Sequence, residues 1–203
     1  MTVAVTGPFA CGKSTFVRLL GELGAETASA DGIVHDLLSG DSATINQVVE
    51  RFGDEVRGEN GVDRKALGRK VFGDSEALQD LEDILHPLVR RETDRRAAAT
   101  EAEMFVVEIP LLFEGGGSGP FDLTAAVIAP EERRRQWSEE RGVGGDQREA
   151  IERRQLSGEE KARRADFVVV NDAGLDKLRE QARDLWNEAT TGSGHGTIRA
   201  KET

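Results

Sequence analysis

Nine residues near the N-terminus constrain this chain more than anything else in it: Gly7-Pro8-Phe9-Ala10-Cys11-Gly12-Lys13-Ser14-Thr15. They fit the spacing Gly, four residues, Gly-Lys-Ser/Thr, whose backbone N–H groups wrap a polyphosphate. The pattern requires a strand before it and a helix after it. Thr2–Thr6 (TVAVT) is a short β-favouring run. Phe16, Leu19, Leu20 and Leu23 recur at i, i+3, i+4 and i+7, which is one face of a helix, and Gly24 is placed to stop it. A helix N-terminus then faces the loop with partial positive charge. Lys13 is placed to reach the β- and γ-phosphates, and the Ser14 hydroxyl to ligate Mg²⁺.

The chain has 203 residues, enough for one core domain with small insertions. No apolar run approaches the length of a membrane span, and the N-terminus has no basic region followed by an apolar stretch. A single cysteine excludes an intramolecular disulfide framework. These features fit the cytoplasm. A net charge of −11 argues against broad electrostatic binding to nucleic acid or to an anionic membrane.

Five β-rich segments recur between helical stretches: Thr2–Thr6, Glu26–Ser29, Met104–Ile109, Ala125–Ala129 and Phe167–Val170. Strands alternating with helices predict an α/β fold, a parallel five-stranded sheet covered on both faces. Ligands in such sheets bind beyond the carboxyl ends of the strands. Gly7, Asp31, Glu108 and Asn171 stand there. The stretch Asp41–Ala102 reads as a helical insertion, with Leu78, Leu81, Leu85 and Leu88 on one face and Pro87 predicted to kink or restart the helix. Gly115–Pro120 reads as a flexible loop. Leu175, Leu178, Ala182, Leu185 and Trp186 mark a terminal amphipathic helix, and residues 190–203 read as a disordered tail.

Five kinds of residue bear chemistry. Asp31 suits a base or an orienting carboxylate for an acceptor hydroxyl, and equally suits a helix N-cap. Glu108 ends an apolar run beside the phosphate loop, the place for an acid that positions metal-bound water. Nine arginines between Arg133 and Arg164 face nine acids between Glu131 and Glu160, so most belong to salt-bridged solvated helices. Arg141 differs because Gly142, Gly144 and Gly145 follow it; a fixed charge on a glycine hinge suits a closing lid. His35 and His86 lack metal-ligand spacing, and a structural hydrogen bond is the simpler role for His86. Cys11 sits near a helix N-terminus that would lower its pKa, although a small spacer is the simpler reading.

With these residues placed, the chain resembles the dephospho-CoA kinase family from Thr2 to about Leu185. The resemblance is carried by Thr6–Thr15, Ser29-Ala30-Asp31 with Ile33-Val34-His35, Arg51-Phe52-Gly53 and Val62-Asp63-Arg64 with Leu67. It continues through Val71-Phe72, Leu85-His86-Pro87-Leu88-Val89, Glu108–Glu114 (EIPLLFE), Gln155 with Lys161, Ala165–Val168 and Asn171. The His-Pro-Leu and Ile-Pro-Leu-Leu-Phe-Glu pieces are more specific than the phosphate loop, which marks only a nucleotide-binding class.

The resemblance implies transfer of the γ-phosphoryl of ATP to the ribose 3′-hydroxyl of dephospho-CoA, giving CoA and ADP. It implies a P-loop core (about 1–40, 103–130 and 166–189), a helical region for the CoA substrate (about 41–102) and a lid (about 131–165). The catalytic residues would be Asp31, Lys13 and Arg141. ATP would lie on Gly7, Ala10, Cys11, Gly12, Lys13, Ser14 and Thr15, with Asn171 near the adenine. His35, Arg64, His86, Pro110 and Leu111 would join Asp31 in shaping the acceptor site, and Ser14 and Glu108 would hold Mg²⁺. The partners are then the two small-molecule substrates, without nucleic acid or membrane; oligomeric state is left open.

Three positions depart from the family pattern. Ser29 stands where an aspartate is common, Pro8-Phe9-Ala10 replace frequent glycines and should stiffen the loop, and Trp137 stands where a second arginine is usual, four residues before Arg141. Arg134 or Arg135 is close enough in sequence to substitute. Two other readings stay open at this stage. One is a P-loop kinase for a nucleoside monophosphate or a sugar. The other is a nucleotide-dependent binding protein without transfer activity.

Overall fold

The computed structural model describes residues 1–115 and 121–191. The chain divides into two compact units, one formed by Met1–Ser29 with the chain from Ala99 on, the other by Ala30–Ala98.

The first unit is built on a five-stranded sheet: β1 (Thr2–Thr6), β2 (Glu26–Ser29), β5 (Phe105–Glu108), β6 (Leu123–Ile128) and β7 (Phe167–Val170). Their order is β2-β5-β1-β6-β7 and every pairing is parallel. The strands bury both faces: Val3, Ala4 and Val5, then Val106 and Val107, then Ala125, Ala126 and Val127 are all at zero exposure, the pattern of a sheet covered on two sides. The chain leaves β1 toward β5 and β2 on one side and later returns to β6 on the other. The carboxyl end of β1 is therefore a topological switch point, where such sheets form a crevice.

Helix α1 (Lys13–Glu22) packs Phe16, Leu19 and Leu20 into the core with Leu178, Ala182 and Leu185 of α9 (Leu175–Thr191). Its end is closed by two backbone bonds, Gly24 N–H to the Gly21 carbonyl at 3.0 Å and Ala25 N–H to the Leu20 carbonyl at 3.1 Å, a Schellman arrangement. Between β6 and β7 stand α6 (Glu131–Glu140), α7 (Gly145–Glu152) and α8 (Gly158–Arg164).

The second unit contains α2 (Ala30–Gly40), α3 (Ser42–Phe52), α4 (Arg64–Val71) and most of α5 (Ser75–Ala99). It thus takes in α2, which lies ahead of the stretch Asp41–Ala102 read as a helical insertion. Leu38, Val48, Val49, Phe52, Val56, Leu67 and Leu85 form its own core. Aspartates start the helices: Asp41 accepts from Thr44 N–H at 3.0 Å, and Asp63 from Lys65 and Ala66 N–H at 2.9 and 3.1 Å. Arg96 of α5 reaches Asp36 of α2 at 2.9 Å.

Three sequence expectations change here. A two-stranded antiparallel ribbon, β3 (Arg57–Gly58) and β4 (Gly61–Val62), lies inside the helical region; two residues per strand leave no periodicity to read. Pro87 does not restart the helix, because α5 runs continuously through it. Pro87 and Asp83, whose carbonyl loses its helical donor, are both exposed residues, so water can replace the missing N–H. Thr190 and Thr191, expected to begin a disordered tail, instead close α9, and the Thr190 hydroxyl donates to the Trp186 carbonyl at 2.8 Å. The loop expected at 116–120 and the rest of that tail, 192–203, lie outside the described residues.

Candidate active site

The phosphate loop leaves β1 at Gly7, whose backbone passes against β6. A Cβ there would stand 2.1 Å from the Val127 carbonyl oxygen, so only glycine fits. Ala10 follows with φ +57°, the one non-glycine residue of positive φ among the described residues. This conformation costs an L-residue roughly 1–2 kcal/mol, so the loop apex is held against a local preference. Gly12, at φ +96°, opens α1. A Cβ on it would lie 2.3 Å from Asn171 Nδ2, and that nitrogen donates to the Cys11 carbonyl at 3.0 Å. Asn171, just past β7, is buried and braces the loop from behind.

Phe9 is gripped at both ends of its backbone. Its N–H donates to Gln155 Oε1 at 2.7 Å, and its carbonyl accepts from Arg134 Nη1 at 3.3 Å. Arg134 is itself fixed by Glu131 and by Glu152, the latter at 2.6 Å, and Arg148 joins the same two acids. Of the two arginines considered as substitutes, Arg134 is thus the one that reaches the loop, and it does so through a carbonyl.

Lys13 is buried and donates to the Pro8 carbonyl at 2.9 Å. Ser14, exposed, donates its hydroxyl proton to Glu108 Oε1 at 3.2 Å. These two oxygens come from different elements, the start of α1 and the end of β5. Glu108 also stands in register with Ser29 on β2, and two residues further along the chain Asp31 is exposed in the first turn of α2.

For Cys11 the small-spacer reading holds and the lowered pKa does not. The side chain is fully buried, and burial pushes its thiol pKa up, outweighing the opposing pull of Lys13 and Arg134. Position beside a helix N-terminus lowers a thiol pKa only where the thiolate is solvated. The residue is a packed spacer whose carbonyl, through Asn171, helps set the loop.

A second cluster lies at the root of the loop. Lys161 of α8 has zero exposure. Its ammonium donates to the Pro110 carbonyl at 2.8 Å, lies 2.7 Å from Glu114 Oε1 and 3.5 Å from Thr6 Oγ1. Thr6 donates to the same Pro110 carbonyl at 3.3 Å, and Leu156 N–H donates to Glu114 Oε1 at 2.7 Å. Pro110 and Leu111, read as acceptor-side residues, are half-buried in this turn after β5.

Arg141 caps α6, its N–H bonded to the Ser138 carbonyl at 3.1 Å. With Thr15, Gly12, Asn171, Trp137 and Gly174 it lines a cleft of about 280 Å³. In the second unit, His35 Nδ1 and Arg64 Nη1 lie 3.4 Å apart. His35 is four residues after Asp31, so the two share a face of α2. His86 is exposed on α5 and makes no hydrogen bond among the described residues, contrary to the structural bond expected for it. Gln155, Lys161 and Arg134 have contacts here that their local sequence did not reveal.

The family model described as CoaE, dephospho-CoA kinase, matches residues 1–177. The chain belongs to the dephospho-CoA kinase family. A dephospho-CoA kinase of Protochlamydia amoebophila is 37% identical over 92% of this chain and 95% of its own length. One of Rhodopseudomonas palustris is also 37% identical, over 93% and 96%. Among solved structures, TT1252 from Thermus thermophilus superposes with a TM-score of 0.81 at 33% identity, covering 95% of this chain and 98% of that one. Dephospho-CoA kinase from Campylobacter jejuni gives 0.62 at 29% identity, over 94% and 98%. A shikimate kinase from Acinetobacter baumannii, 13% identical with a TM-score of 0.52, shares the fold alone. As a member of a dephospho-CoA kinase family the chain is a phosphotransferase, and among its described residues no helix is long and apolar enough to cross a membrane.

Proposed function

We propose that this protein transfers the γ-phosphoryl group of ATP to the 3′-hydroxyl of the ribose of dephospho-CoA, releasing CoA and ADP, the last step of coenzyme A synthesis. The observation that carries the phosphoryl-transfer half is the pairing of Ser14 Oγ with Glu108 Oε1 at 3.2 Å beside a loop shaped by Gly7 and Gly12. Family membership over residues 1–177 carries the choice of acceptor.

The loop amides and the α1 N-terminus hold the donor phosphates. Lys13 trades the Pro8 carbonyl for phosphate oxygens. Arg141, fixed at the end of α6, neutralises charge on the phosphoryl group in transit. Asp31 takes the proton of the attacking hydroxyl, the role a positioned carboxylate plays in phosphoryl transfer. Within the second unit His35 and Arg64 are close enough to act on one anionic or polar group of the acceptor; His86, Pro110 and Leu111 are acceptor-side residues by the family resemblance.

Two oxygen ligands, Ser14 and Glu108, fit Mg²⁺, which favours hard oxygen donors and keeps waters and substrate phosphate for its remaining positions. When bound, Mg²⁺ neutralises the β- and γ-phosphate oxygens. Both substrates are small soluble molecules, and we place the reaction in the cytoplasm.

The test is ADP release in a coupled assay, with dephospho-CoA, adenosine, AMP and gluconate as acceptors, each with and without Mg²⁺. Turnover confined to dephospho-CoA and dependent on Mg²⁺ is the expected result. Preference for AMP or a sugar acid would give the alternative kinase, and no turnover with any acceptor a binding protein.

A further inference from the structure

The cleft beside the phosphate loop has an aromatic wall. Trp137 lies on α6 one turn before Arg141 and one turn after Arg133, so the three side chains form a column along one face. The Arg133 guanidinium stands over the Trp137 ring at 6.0 Å from its centre. With a cation over one face, the other face of the indole is the one left for a partner.

The volume of the cleft, about 280 Å³, lies just below the roughly 300–1,000 Å³ of whole-ligand pockets. It is too small for a nucleoside triphosphate and suits one flat heterocycle. Its edge is formed by Gly12 and Thr15, where the phosphate loop becomes α1, and its apolar side by Leu175 and Leu178. A ring in this cleft is therefore adjacent to phosphates held by the loop. The Asn171 amide nitrogen is engaged with the Cys11 carbonyl, so the cleft grips a ring by its faces more than by that amide.

We infer that Trp137 is the stacking wall for the purine of the phosphoryl donor, an indole in place of the arginine usual at this position. The inference rests on the donor being a nucleoside triphosphate, as proposed above. Stacking on an aromatic side chain is tolerant of the base. The donor preference set by this wall is then purine over pyrimidine, with little separation of adenine from guanine.

Fluorescence tests this directly, since the chain has two tryptophans, Trp137 and Trp186. In a Trp186→Phe background, ATP and ADP should quench the remaining emission, while saturating inorganic tripolyphosphate should leave it nearly unchanged. Trp137→Ala should raise the KM for ATP about tenfold, the low end of what base–aromatic stacking is worth. Its kcat and its KM for dephospho-CoA should stay near wild type, and Trp137→Phe should recover most of the loss. Equal quenching by tripolyphosphate and ATP, or an unchanged KM for ATP in Trp137→Ala, would overturn the inference. Quenching by ATP without transfer to dephospho-CoA would support the stacking wall and overturn only the functional reading.

Discussion

Lys161 Nζ and Glu114 Oε1 meet at 2.7 Å in a site where the lysine has no exposure and the acid little. The pair ties α8 to the turn after β5, and the same ammonium reaches Thr6 at the root of the phosphate loop. Glu114 Oε2 is buried without a hydrogen-bond partner among the described residues, so Glu114 leans on Lys161 for compensation. Lys161→Met should cost about 3–5 kcal/mol of stability, as loss of one member of a buried pair does. The double variant Lys161→Met/Glu114→Gln should recover much of that, because no charge is stranded. Urea unfolding of the single and double variants decides it; equal losses in both would show that the pair is not coupled. Burial also lowers the Lys161 pKa from 10.5. The unfolded chain then binds this proton more tightly, so this residue adds stability as pH rises from the depressed folded value toward 10.5. Lys161→Met should lack that component.

The Ser14–Glu108 contact makes a separate prediction. Glu108→Gln keeps an oxygen for the Ser14 hydroxyl and removes the charge. It should raise the Mg²⁺ concentration for half-maximal rate by at least about tenfold, the scale on which changes at a metal's polar shell act. An unaltered Mg²⁺ titration would take Glu108 out of the metal site.

Asp31 is exposed at the start of α2, so replacing it should leave the fold intact. Asp31→Asn should bind ATP nearly as wild type and turn over about 10²–10⁴-fold more slowly, the usual contribution of a positioned base. Equilibrium binding and kcat measured on one preparation separate the two effects. A fully active variant would remove Asp31 from the reaction.

Cys11 should be inert. Its thiol is buried and its pKa raised, so neither access nor thiolate is available at neutral pH. Alkylation by iodoacetamide should be negligible in the native protein and rapid in denaturant. Rapid labelling of the native protein would show that the loop opens readily.

Much of the first unit was legible in the chain because its signals are local. Thr2–Thr6, Glu26–Ser29 and Phe167–Val170 stand out as short β-rich runs, and they form strands with those bounds. The helix after the loop stops where Gly24 predicts. What was not legible depends on residues far apart. Phe9 and Gln155 are 146 positions apart, and Lys161 and Thr6 are 155 apart; no periodicity announces such contacts. The Cys11 pKa failed for the same reason. Its helix N-terminus is local and visible, while its burial comes from β-sheet and helix neighbours brought in by the fold. Pro87 gave a strong local signal, and the helix nevertheless continues through it at an exposed position.

The identity of the product decides whether this protein phosphorylates dephospho-CoA. Incubated with ATP, Mg²⁺ and dephospho-CoA, the protein should form ADP and CoA in equal amounts, with the new phosphomonoester on the ribose 3′-oxygen by phosphorus NMR and mass spectrometry. Release of ADP with dephospho-CoA unchanged, or a phosphate on any other oxygen, would contradict the account.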